Sequence, residues 1–163
     1  MNALRDAQGV SEEARRVPHA AKYLGAAGVI PFVAIAIAGP FLSDPLKNSA
    51  FLALIAYGAV ILSFLGGIHW GLSIATSGER GTGGASFRRL GVSVIPALIG
   101  WGALIVEPTV GIFILAISFG LVLVVDLDAS RKGEAPAWYP TLRWPLTLGV
   151  IASLFFGAFA MQA

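Results

Sequence analysis

Ala59-Val-Ile-Leu-Ser-Phe-Leu-Gly-Gly-Ile-His-Trp-Gly-Leu-Ser-Ile-Ala75 contains one ionisable side chain, His69, and lies in a segment free of Lys, Arg, Asp and Glu from Asn48 to Gly78. An uncharged apolar run of this length matches a bilayer-crossing helix, which needs about 20 predominantly apolar residues. Ala59, Ser63, Gly67, Gly71 and Ala75 follow one another at i+4 and share one face of such a helix. Small residues in that register let a second backbone approach closely, so they are expected to form a packing seam. At about 100° per residue, His69 is about 200° away from both Gly67 and Gly71 and points to a different neighbour.

Working outward, the rest of the chain has the same character. Of 163 residues, 56% are hydrophobic and 12% charged, against about 25% charged in a soluble domain. The apolar residues form continuous runs, not the strict alternation of a barrel strand. The runs are Tyr23 to Ser43, Asn48 to Gly78, Leu90 to Val106, Pro108 to Val125 and Trp144 to Ala163. They predict an all-α, polytopic membrane protein with a polar cytosolic tail over 1–22 and a five-helix membrane domain over 23–163, its helices at about 23–42, 50–75, 90–106, 109–125 and 144–162. Pro31 and Pro96 fall inside two of these helices and deprive the Ala27 and Val92 carbonyls of their usual donors, so kinks are expected there. With only Glu107 and Pro108 between them, the third and fourth helices are expected to form a tight antiparallel hairpin.

Lysine and arginine placement gives the expected orientation. Arg5, Arg15, Arg16, Lys22, Arg80, Arg88, Arg89, Arg131, Lys132 and Arg143 fall on one side of a five-crossing topology, and Lys47 alone on the other. The amino terminus is therefore expected in the cytoplasm and the carboxyl terminus outside. The first twenty residues lack the apolar core of a signal peptide, and Asp6, Glu12 and Glu13 are unlike an acid-poor transit peptide. With no cysteine in the chain, disulfides and thiolate chemistry are excluded. The basic residues flank membrane segments and are not interleaved with aromatics on a soluble surface, which argues against nucleic acid as a partner.

Counting residues inward from the basic border gathers the unusual side chains at one end of the bundle. His69 and the carbonyl freed by Pro96 are expected at one level with Ser93 slightly shallower. Asp126 and Arg143 arrive at the border itself from the last two helices, and Thr147 follows Arg143 by one turn. An ionisable group at membrane depth is costly and marks a functional-site hypothesis. His69, Ser93, Asp126, Arg143 and Thr147 thus form a candidate ligand or proton pocket. Two readings of His69 stay open: a structural donor to the Val92 carbonyl or to Ser93, or a ligand-binding or proton-binding group. Asp126 is expected to pair with Arg143 or with His69. Trp70, Trp138, Tyr139 and Trp144 are expected to anchor helices at the interface. No spacing of ligands points to a metal, and no motif points to a cofactor.

The segments Leu24-Gly25…Ile30-Pro31-Phe32, Tyr57 to Gly71, Ser93-Val-Ile-Pro96…Trp101, Asp126, and Ala137 to Arg143 with Leu146-Thr147 resemble the bacterial branch of the transmembrane protein 69 family. That is a family of small integral membrane proteins of unknown function in bacterial inner membranes and mitochondria. The resemblance implies a five-helix-like architecture and, with the acidic residues of the tail, the bacterial cytoplasmic membrane; it carries no established activity. Three function classes remain. The favoured one is a non-catalytic helix-packing, assembly or lipid-binding component. It associates with lipid, with anionic headgroups at the cytoplasmic face, and with a second copy or a larger membrane complex. The alternative is a small transporter or carrier with a cytoplasmic-side pocket around His69, Asp126 and Arg143. An enzyme acting on lipid headgroups ranks last, because no catalytic constellation is legible.

Overall fold

The computed structural model describes residues 16–79 and 87–162. Arg5, Arg15 and Arg80 lie outside the described residues, as do the side chains of Arg88 and Arg89. Among the described residues there are five α-helices, α1 (His19–Ala38), α2 (Asp44–Glu79), α3 (Phe87–Ala103), α4 (Pro108–Arg131) and α5 (Tyr139–Gln162), with a single 3₁₀ turn, Gly39–Phe41. Four of the helices, α1, α2, α4 and α5, are long and apolar enough to cross a membrane, whereas the apolar part of α3 covers only Leu90–Ala103.

The helix ends depart from those expected in ways that matter for the site. α2 begins at Asp44, six residues before the expected start at 50, because Pro45 fits the first turn and Asp44 complements the helix dipole there. At 36 residues it is about 54 Å long, more than the ~30 Å of hydrocarbon, so it tilts or projects. α3 starts at Phe87 and stops at Ala103, not Val106, as the Leu104 and Ile105 N–H groups close short turns onto Trp101 and Gly102. α4 runs six residues past the expected end at Val125. Its stop is a Schellman motif, with Gly133 at φ +69°, its N–H on Ser130 and the Glu134 N–H on Ala129. α5 starts at Tyr139, five residues early, with Pro140 in its first turn. Pro31, Pro96 and also Pro145 lie within helices.

α4 is the central helix: 50% of its apolar stretch is buried against 17% for α1. Ile112, Leu115 and Phe119 of α4 meet Phe32 of α1, Leu54, Ile55 and Leu62 of α2 and Leu154 of α5 in one core. The Tyr57 hydroxyl adds a 3.0 Å hydrogen bond to the Gly28 carbonyl, tying α2 to α1. α2 packs most extensively on α3, and α1 on α5.

Close backbone approach occurs at Gly66, where any Cβ would overlap the Ser93 carbonyl oxygen, and at Gly111, where it would overlap that of Ala103. The expected seam is therefore displaced within the chain. Ala59 is buried and touches Gly100, but Gly67, Gly71 and Ala75 are exposed, and nothing lies within 4 Å of a Cβ at either glycine. The reason is rotation: residues 66 and 67 are about 100° apart on the helix, and it is the first that α2 turns toward α3.

Gly66→Val is accordingly expected to destabilise the bundle by about 1–3 kcal/mol through overpacking, while Gly67→Val leaves thermal unfolding of the monomer in detergent nearly unchanged. Equal effects would contradict this packing. At the other end of the molecule, the Glu107 side chain caps α4, accepting from the Val110 N–H at 3.0 Å and the Thr109 hydroxyl at 2.9 Å. The backbone N–H groups of Thr109 and Val110 hold its carboxyl below the ordinary 4.5. Because the folded value is the lower one, the stabilisation is present above pH 4.5 and disappears as pH falls through the depressed value. Acid unfolding profiles of the wild type and Glu107→Gln are expected to converge below that value and separate above it.

Candidate functional site

Three helices deliver the polar centre. His69 lies on α2 four residues before Ser73, whose hydroxyl donates back to the His69 carbonyl at 2.8 Å. Asp126 lies five turns into α4, and Arg143 in the second turn of α5. Because both helices extend beyond the expected ends, Asp126 is held inside a helix and buried, not at its border.

Asp126 is 1% exposed and uses both carboxylate oxygens. Oδ1 meets His69 Nε2 at 2.8 Å, and Oδ2 accepts from Arg143 Nε at 2.5 Å. A carboxylate opposite a guanidinium is an acceptor only, so Nε2 carries the proton of the imidazole. The Arg143 side chain is 8% exposed and that of His69 17%. The expected pairing of Asp126 with Arg143 or His69 is thus made with both. The expected donation from His69 to Ser93 or to the Val92 carbonyl is replaced by this bond to Asp126, and Ser93 donates to the Leu90 carbonyl at 2.6 Å.

Charges at this depth have several kcal/mol of desolvation to offset per ion. A unit pair at 4 Å regains about 4 kcal/mol at an effective dielectric near 20. The arrangement therefore adds little net stability as a whole, but removing one member leaves the other charged and unpaired.

Of the triad His69, Asp126 and Arg143, His69 alone lines an open cleft of about 380 Å³ between α2, α3 and α4. His69, Ser73 and Ser93 supply its polar part, and Leu72, Val92, Pro96, Val122, Val125 and Ala129 its apolar walls. Asp128 and Lys132, ion-paired across one turn of α4, stand at its rim. Of the candidate pocket residues, His69 and Ser93 line this cleft, while Asp126, Arg143 and Thr147 are buried behind His69.

Tyr139 was expected at the interface but is 8% exposed and packs with Ala129, Ile68 and Leu72. Its hydroxyl lies within electrostatic reach of Asp126 and Arg143. The spacing Tyr139, Arg143, Thr147, at i, i+4 and i+8 on one helix face, is the sequence signal that marks it. Trp70 and Trp144 are 42% and 48% exposed and Trp138 is half-buried.

Residues 17–159 match the family described as Protein of unknown function (DUF3429). The chain belongs to this family. It is similar to Transmembrane protein 69 of Xenopus tropicalis, with 35% identity over 137 residues covering 84% of this chain and 53% of that protein. It is likewise similar to Transmembrane protein 69 of Mus musculus, with 30% identity over 131 residues covering 80% of this chain and 52% of that protein. The chain spans about half the length of these relatives. No solved structure matches it. The family match reaches into all five helices and includes every member of the triad, and with the four crossing-length apolar helices it identifies a multi-pass membrane protein.

Asp126→Ala is expected to cost about 3–5 kcal/mol, because Arg143 then stays charged in the interior. His69→Ala is expected to cost only about 1–2 kcal/mol, because the Asp126–Arg143 pair survives it. Unfolding both variants and the double variant in one detergent checks the order; equal costs would contradict it.

Proposed function

We propose that the protein is a non-catalytic component of the bacterial cytoplasmic membrane that holds a membrane lipid in the cleft between α2, α3 and α4. The observation that supports this reading is the make-up of the cleft. Apolar walls from three helices stand beside polar groups at His69, Ser73 and Ser93, with Asp128, Lys132 and Glu134 also lining the cleft, a mixture that matches an acyl chain joined to a polar headgroup. In this reading the basic loops face the cytoplasm, and Arg131 and Lys132 add attraction to anionic headgroups. The exposed small residues Gly67, Gly71 and Ala75 are the stripe on which a second copy or another membrane subunit would pack.

A second reading is supported by the triad. A titratable imidazole bonded to a buried carboxylate on one side and edging an open cleft on the other is the arrangement a proton-linked carrier needs.

Native mass spectrometry of the protein extracted gently from its host membrane distinguishes the two. A lipid-holding protein retains stoichiometric lipid, and Val122→Trp, which fills the cleft, lowers the lipid-bound fraction at least several-fold while the fold persists. If the wild type carries no lipid and reconstituted vesicles instead show uptake whose pH dependence is lost in His69→Gln, the carrier reading replaces the first.

A further inference from the structure

Among the described residues, the buried side-chain polar atoms without a hydrogen-bond partner are three: Tyr139 Oη, Arg143 Nη2 and Thr147 Oγ1. All three belong to α5 and follow one another at i+4, so they share one face of that helix. Their residues are 8%, 7% and 1% exposed. Hydroxyls elsewhere in the bundle behave differently: those of Ser63, Ser73, Ser93 and Ser153 each donate to a carbonyl of their own helix. The polar shortfall is thus confined to the face of α5 that reaches Asp126.

Buried polar groups left without a partner are rare, and a cluster of them indicates an occupant. The chemistry of the three atoms defines it. Arg143 Nη2 can only donate, whereas the two hydroxyls can both donate and accept. The occupant must therefore accept from the guanidinium and exchange hydrogen bonds with both hydroxyls. On this face of α5 Asp126 already neutralises Arg143, which favours a neutral molecule. Water meets these conditions, since a buried water makes about three hydrogen bonds to otherwise unsatisfied groups. Tyr139 and Thr147 are eight residues apart, a rise of about 12 Å, too far for one water to touch both hydroxyls.

We infer that α5 carries an internal hydration site, a short file of bound waters that satisfies Tyr139, Arg143 and Thr147 behind the His69–Asp126 pair. These waters solvate the ionic centre at Arg143, on the side away from the cleft, so that it is not a dry ionic clasp. The inference stands whether or not the cleft holds lipid, because none of the three α5 residues lines it.

The sign of a stability change tests it. With the protein in nanodiscs, Thr147→Val deletes one hydroxyl with little change of shape, and it is the discriminating variant because the Tyr139 hydroxyl lies beside Asp126. If water satisfies the Thr147 hydroxyl, the variant strands a bound water and lowers the unfolding temperature by about 2–4 °C. If the site is dry, the variant removes an unpaired buried group and raises it, which overturns the inference. Radiolytic footprinting of the unmutated protein supplies a readout independent of folding in the variant. Bound water beside Tyr139 gives fast oxidation of that buried ring, faster than at the exposed Tyr23 after correction for exposure; oxidation in proportion to exposure overturns the proposal.

Discussion

Asp126 is a carboxylate with 1% exposure in a chain whose solvent is largely hydrocarbon, and the arrangement of its end of the bundle follows from satisfying it. Apolar packing tells helices to meet but leaves their rotation to shape. A carboxylate approached on one oxygen from α2 and on the other from α5 fixes the rotation of both helices about α4. Tyr139 is then carried inward on the same face as Arg143 and packs on Ile68 and Leu72, so the ionic centre and the small apolar cluster beside it hold the same three helices. Farther along the bundle, Phe32, Leu54, Leu115 and Leu154 fill an apolar interior, with the Tyr57–Gly28 hydrogen bond beside Phe32.

The cleft is a consequence of how the short α3 meets its neighbours. Its carboxyl-terminal end closes tightly on α4, where Gly111 lets the backbone reach Ala103. Gly66 lets α2 approach Ser93 and Pro96 just as closely. Toward the amino-terminal half of α3, Val92, Ser93 and Pro96 line an open cleft together with Val122 and Ala129 of α4. His69 is placed there because α2 turns Gly66 toward α3 and, three residues on, presents the imidazole to α4. One rotation of α2 thus sets both the helix contact and the access to the triad.

The family match covers residues 17–159, so the bundle and triad described here fall within the part aligned to the family. The similarity to the frog and mouse proteins reaches across most of this chain but only about half of each of theirs. The shared unit is a membrane domain, and in this chain it holds one buried carboxylate reached by an imidazole and a guanidinium.

By itself the sequence determined the solvent, the helix class and the end of the bundle where the polar groups gather. Long uncharged runs admit only helices whose backbone groups bond internally, and counting from the basic border set His69 inside the membrane near Asp126 and Arg143, though it left those two at the border and not inside their helices. Helix ends were misjudged because hydropathy stops at the first charge, whereas α4 continues through Asp126 to the turn at Gly133 and α5 begins before Arg143. Only the tertiary structure decided azimuth: that Gly66 and not Gly67 meets α3, that Tyr139 turns inward from the interface, and that a cleft opens beside His69. The physical reason is that a run apolar on every side gives lipid and protein equally acceptable faces. Rotation is then set by backbone contacts and by the one carboxylate that lipid cannot solvate.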